Sequence, residues 1–132
     1  MLIEKFTLKA QGALERASRL AVKHGHRYVT PIHLLLGCLE QKESPAPKLL
    51  LSGKTNLKKL LSQLKKLLEG VEKAPSGTQG TPINRDLERI FIIAEEWAGQ
   101  LKNRYIAINH LFLGLLDNKA MTAAFEGSGA NI

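Results

Sequence analysis

The chain has 132 residues, 44 % of them hydrophobic but only 5 % aromatic, and a formal charge of +7. Such a length suits one domain with a real core, and no apolar run approaches the roughly 18 residues of a membrane-spanning helix. The opening MLIEKFTLKA lacks the apolar stretch of a secretory signal and the single cysteine, Cys38, excludes an internal disulfide, so a reducing, cytoplasmic setting is expected.

Thr7 reads as the N-cap of a first helix over about 8–24, with Ala10, Leu14, Ala17 and Ala21 as its buried stripe. Gly25 ends it. Thr30-Pro31 joins a cap to proline at the first helical position and opens a short helix to about Glu40. A third short helix is expected from Ser44-Pro45 to Ser52-Gly53, and a fourth from the cap Asn56 to near Gly70. In the fourth, Leu57, Leu60, Leu61, Leu64, Leu67 and Leu68 follow helical spacing while lysines fill the other positions. Much of the positive charge therefore reads as water-facing lysine over a leucine face. No aromatic residues interleave with these lysines to stack bases, so neither nucleic acid nor a membrane is an expected partner.

Residues 70–82, GVEKAPSGTQGTP, lack apolar periodicity and read as a flexible connector. Asn84 caps the next helix, to about Leu101, with Asp86 in its first turn where a carboxylate suits the helix dipole. Short helices over about 108–118 and 120–127 follow, and residues 128–132 mirror the turn at 52–57.

Residues 27–42, RYVTPIHLLLGCLEQK, return 77 positions later as 104–119, RYIAINHLFLGLLDNK, with eight of sixteen pairs identical. The chain is thus expected to be an all-α domain of two pseudo-twofold-related repeats, residues 1–69 and 83–132, joined by the 70–82 linker. Each has about four helices, the last of the second being missing. Shared positions are explained by a shared fold, so functional residues are sought where the copies differ.

On the 84–101 helix Leu87, Ile90, Phe91, Ala94, Ala98 and Leu101 share one arc, and Ile93 and Trp97 fall to its side. Their first-copy counterparts are Arg16 and Leu20. Two accounts of this swap stand open: an asymmetric interface between the halves, or a partly exposed apolar strip that binds other polypeptides. His33 and His110 are equivalent and read as structural, each imidazole bonding nearby backbone in the first turn of its helix. No Cys/His/carboxylate set accompanies them, so no metal is expected. Cys38 aligns with Leu115 and reads as a buried thiol. No catalytic set and no GxxxxGK[ST] loop occur, so neither an enzymatic activity nor a bound cofactor is expected of this chain.

FTLKAQGALERASRLAVKHGHRYVTPIHLLLGCLEQ strongly resembles the opening of the Clp AAA+ chaperone N-terminal domain, and RDLERIFIIAEEWAGQLKNRYIAINHLFLGLL resembles its second repeat. The pattern is most similar to the ClpB-type disaggregase, with ClpC and ClpA as near neighbours. The resemblance implies a substrate-binding domain, monomeric by itself, attached to the AAA+ modules of a hexameric parent that uses ATP and Mg. It implies an apolar groove for unfolded or aggregated polypeptide, whose positions fall on Thr7, Ile93, Trp97 and His110, with Asn103 and Asn109 nearby. His110 stands where the ClpB type has leucine, and Asn103 and Asn109 replace acidic residues. ClpC-like domains that read phosphoarginine carry glutamate before each histidine; Ile32 and Asn109 stand here, so that activity is not carried over. The alternative reading is an adaptor-docking domain of a ClpA- or ClpC-type unfoldase that feeds a protease.

Overall fold

Of the caps expected at Thr7, Thr30, Asn56 and Asn84, all but Thr30 place a side-chain oxygen on the amide three residues ahead. The computed structural model describes residues 3–40 and 56–127. The expected helix over 44–53 and the turn at 128–132 lie outside the described residues. Within them run α1 (Leu8–Lys23), α2 (Pro31–Leu39), α3 (Leu57–Glu69), α4 (Arg85–Gln100), α5 (Ile108–Leu116) and α6 (Lys119–Gly127), after a 3-10 turn at Ile3–Lys5. Thr7, Asn56 and Asn84 accept the amide hydrogens of Ala10, Lys59 and Leu87, at 3.2, 3.1 and 2.9 Å, satisfying donors that a helix start otherwise leaves free.

The two repeats are joined reciprocally. Phe6 pairs in parallel with Ile106, and its equivalent Ile83 pairs in parallel with Val29, the equivalent of Ile106. The bonds match one for one. Thr7 N–H donates to the Ile106 carbonyl at 3.0 Å and Ile106 N–H to that of Lys5 at 2.8 Å; Asn84 N–H donates to Val29 at 3.0 Å and Val29 N–H to Pro82 at 2.8 Å. Each copy thus gives its helix-entry strand to the other's loop, the self-complementary pattern of a twofold contact. The chain is all-helical, built from two pseudo-twofold-related halves.

Within each half, two helices cross closely at a glycine. A Cβ on Gly114 of α5 would lie 2.6 Å from the Ile90 carbonyl oxygen of α4, and one on Gly37 of α2 would strike the backbone of Ala13 in α1. Ile90 and Ala13 are themselves equivalent positions. The duplicated H-L-x-L-G-x-L element is therefore a packing device, glycine admitting backbone-to-backbone contact.

That contact also corrects the expected stripe of α1. Ala13, which faces Gly37, is fully buried together with Ala10, Ala17 and Ala21, whereas Leu14 lies to the side and is only half-buried. Leu101, expected in the core arc of α4, is 52 % exposed. It occupies the C-cap, where the chain leaves the helix and the wheel no longer applies. Lys102 follows with φ +57, the left-handed conformation that Gly25 adopts with φ +65 at the equivalent turn of the first copy. A side chain there costs roughly 1 kcal/mol. Lys102→Gly is expected to raise stability by about 0.5–1 kcal/mol in urea denaturation, and a loss of stability would mean the lysine makes a compensating contact.

The lysine/leucine helix α3 turns Leu60, Leu64 and Leu68 into the core and leaves Leu67 40 % exposed. It packs on α2 of its own repeat and on α6 of the other, so one leucine face closes both halves. The 70–82 connector is tied down rather than loose at its ends: Arg27 N–H donates to Glu72 O and Ala74 N–H to Gly25 O, both at 2.9 Å, and Pro82 accepts from Val29. Backbone bonding to the 25–29 loop is not visible in its Gly/Pro composition. Among the described residues no helix is long and apolar enough to cross a membrane.

Candidate functional site

Ile93 and Trp97 lie one turn apart on α4, beside the buried arc of Leu87, Ile90, Phe91, Ala94 and Ala98. Ile93 is half-buried and Trp97 is 39 % exposed, a large apolar surface left in water. Ile93 borders a cleft of about 440 Å³ between α4 and the α5–α6 junction, lined by buried Ile90 and Gly114 and by exposed Ala120. Trp97 is not part of that lining; it stands one turn beyond Ile93. The lining of this cleft is mixed rather than apolar, because Asp86 and Arg89 of α4 and Asp117, Asn118 and Lys119 complete it. Helix α6 must fold back for these residues to converge. The Asn118 side chain helps by accepting the Met121 amide hydrogen at 3.1 Å. Sequence reasoning misses this charged wall, and the only hint of it is the glycine that brings α5 against Ile90.

The other residues implied by resemblance collect around the 101–107 loop. Thr7 is half-buried, with its hydroxyl oxygen occupied as the α1 cap and its amide bonded to Ile106. His110 is only 2 % exposed. Its Nδ1 accepts the Ala107 amide hydrogen at 2.8 Å, which leaves the proton on Nε2 to donate to Asn103 Oδ1 at 2.8 Å. Both ring nitrogens are thus engaged, and the ring acts as a strut that holds the exposed Asn103 amide in place. Asn109 is exposed in the first turn of α5. Thr7, Asn103 and His110 therefore gather at one loop, Trp97 sits on the last turns of α4 leading into it, and Ile93 belongs to the cleft.

The structural reading of the histidines holds in the first copy too. His33 Nδ1 accepts the Thr30 amide hydrogen at 2.9 Å, with the Thr30 hydroxyl at the same distance from that nitrogen. Its Nε2 faces His26 Nδ1 at 2.8 Å. His26 stands where Asn103 stands in the second copy, so one scaffold carries a His–His pair in one half and a His–Asn pair in the other. Burial, then the neighbouring His26 and His24, hold His33 down to about 4. Burial likewise lowers His110. Cys38 is fully buried, and burial pushes its thiol up to about 12, the environment of an inert core thiol. Among the described residues no three His, Cys, Asp or Glu side chains stand together as metal ligands would.

A duplicated helical fold, paired through reciprocal entry strands and glycine-centred helix crossings, defines a repeat domain of the Clp type. Residues 5–126 match the Clp repeat (R) N-terminal domain family, and the chain belongs to it. It is 32 % identical over 123 residues to the chaperone protein ClpB of Clostridium tetani, a match spanning 91 % of this chain and 14 % of that protein. The Hsp104 N-terminal domain of Candida albicans superposes with a TM-score of 0.84 at 18 % identity, over 96 % of this chain and 83 % of that one. A ClpV N-domain in complex with a VipB peptide superposes with a TM-score of 0.74 at 19 % identity, over 96 % of this chain and 81 % of that one. The chain thus corresponds to a Clp chaperone N-domain and spans about a seventh of the length of its ClpB relative.

Proposed function

We propose that this chain is the N-terminal domain with which a ClpB-type, ATP-dependent disaggregase holds exposed apolar segments of unfolded or aggregated proteins. The observation that carries the reading is the half-exposed indole of Trp97, one turn from Ile93 at the cleft, in the repeat whose twin has Leu20 and Arg16 there. An indole is a favoured anchor because it offers a large rigid apolar face at little entropic cost. Thr7, Asn103 and Asn109 would give polar contacts at one end of the strip, with His110 positioning Asn103. In the parent, a cytoplasmic hexamer, ATP and Mg²⁺ would act in AAA+ modules outside this domain, which receive the held segment.

Holding should be weak, on the order of micromolar, because ordering a flexible client offsets much of the gain from a small apolar surface. Titrating a permanently unfolded, alkylated protein onto the chain tests this by anisotropy. Trp97→Ala is expected to weaken binding by about tenfold and Ile93→Ala by about threefold to tenfold. Unchanged affinity in both variants removes the assignment. The charged wall of Asp86, Arg89, Asp117 and Lys119 favours a second reading, docking of a folded adaptor with matching polar groups. Recovery of one stoichiometric folded partner in a pull-down supports that reading; a heterogeneous set of misfolded proteins supports the first.

A further inference from the structure

The first repeat carries a partial counterpart of the cleft beside Ile93, with a more basic lining. On the first repeat Arg16, Arg19, Leu20, Lys23 and Glu40 line a cleft of about 280 Å³. Arg16 stands where Ile93 stands, Leu20 where Trp97 stands, and Glu40 where Asp117 stands. The three cations are exposed and spaced for one side of α1, while half-buried Leu20 supplies an apolar floor. Neither ion pair formed among the described residues, Lys5–Glu95 or Arg27–Glu72, uses any of the three.

The distribution of charge along the chain points the same way. Residues 1–69 hold 13 Lys and Arg against 5 Asp and Glu, a balance of +8, whereas residues 70–132 hold 6 against 7. The whole positive excess thus belongs to the repeat that carries this cleft. Clustered cations beside a low-dielectric wall focus potential into a concave surface and speed the capture of anions.

We infer that this cleft docks an acidic polypeptide segment, one in which Asp and Glu side chains meet Arg16, Arg19 and Lys23 while an aliphatic residue covers Leu20. Arginine offers a planar fork suited to carboxylates, which makes the arginine pair selective as well as attractive. Nucleic acid fits less well, because no aromatic side chain lines the cleft to stack a base. The site goes beyond the apolar strip proposed above and stands or falls independently of it.

The test is fluorescence anisotropy of the 132-residue chain with a short labelled peptide of repeated Glu-Glu-Leu. Binding that weakens with salt is expected, and the exposed-site double variant Arg16→Glu/Arg19→Glu, checked for native helicity, should lose at least about tenfold. Lys58→Glu/Lys59→Glu, of equal charge change but on α3 outside the cleft, should change affinity less than about twofold. Trp97→Ala should leave it unaltered, so failure of the apolar strip and failure of this site are separable. No binding, or an equal loss from the Lys58/Lys59 variant, overturns the proposal in favour of attraction by net charge alone. Tighter binding of an oligonucleotide of equal charge, lost in Arg16→Glu/Arg19→Glu, overturns it in favour of a nucleic-acid site.

Discussion

Gly114→Ala is expected to destabilise the chain by about 2–3 kcal/mol, with a fall in Tm on the order of 10 °C. Intrinsic propensity argues the opposite sign, since alanine in a helix interior is favoured over glycine by about 1 kcal/mol. Packing decides. The new Cβ would meet the Ile90 carbonyl oxygen at 2.6 Å and Ile90 Cγ2 at 2.9 Å. A side-chain tip could swing away, but a carbonyl fixed in the α4 hydrogen-bond ladder cannot, so the two helices would have to part. Gly37→Ala should behave alike, because its Cβ would strike the Ala13 backbone and lie 3.1 Å from the Ala17 nitrogen. Gly99, also within α4, faces open space, with nothing within 4 Å of where a methyl would stand. Gly99→Ala should therefore be neutral or stabilising by up to about 1 kcal/mol. Thermal melts of the three variants are the check, and destabilisation by Gly99→Ala as large as by Gly114→Ala would refute the packing argument. Because Ile90 and Gly114 also floor the cleft beside Ile93, Gly114→Ala should weaken client binding even where the protein remains folded.

The same glycines show how far sequence carries. Repetition at a spacing of 77 identifies Gly37 with Gly114 and His33 with His110, and chemistry supplies the helix starts at Thr7, Asn56 and Asn84. These are local facts, needing only an oxygen near an amide or a motif beside its copy. The charged wall of the cleft is not local. Asp86 and Lys119 are far apart in the chain and converge only because α6 turns back over the glycine crossing. Leu14 and Leu101 show a related limit: a helical wheel identifies a stripe, but which member touches a neighbour depends on where that neighbour crosses and where the helix stops. His110 reads from the residues as structural and from family resemblance as part of the groove. Its buried, doubly bonded ring supports the first directly, and leaves it only an indirect part in any groove, through Asn103.

The His26–His33 pair is expected to make the fold lose stability in mild acid, because the native state refuses protons that the unfolded chain accepts. His33 is held at about 4 against an ordinary value near 6.5, first by burial, then by His26 and His24. His26 is lowered as well, by burial and by the charges of His24 and Lys73. His24 stacks on His26 with centroids 5.4 Å apart and Lys73 opposes it across an antiparallel bridge, and both disfavour a second positive charge. Lys65, Glu40 and Glu69 line a separate surface cleft with His24, His26 and Lys73; there the lysine acts in the same sense and the two carboxylates in the opposite one, and burial decides the balance. A folded-state value below the unfolded one means stability is fully present above about pH 6.5 and is lost as pH falls towards 4. For His33 alone the loss is about 2 kcal/mol by pH 5 and on the order of 3 kcal/mol by pH 4. Urea denaturation followed by Trp97 fluorescence at about pH 7.5 and about pH 5 measures it. The second repeat supplies the control, since His26→Asn rebuilds the first pair in the image of Asn103–His110, where an amide oxygen accepts the same Nε2–H. That variant should stay folded at the higher pH and lose stability less steeply on acidification, because a neutral amide replaces a titrating neighbour. Equal stability of the unmodified chain at the two pH values would show that protons reach the buried pair without cost, contrary to its burial.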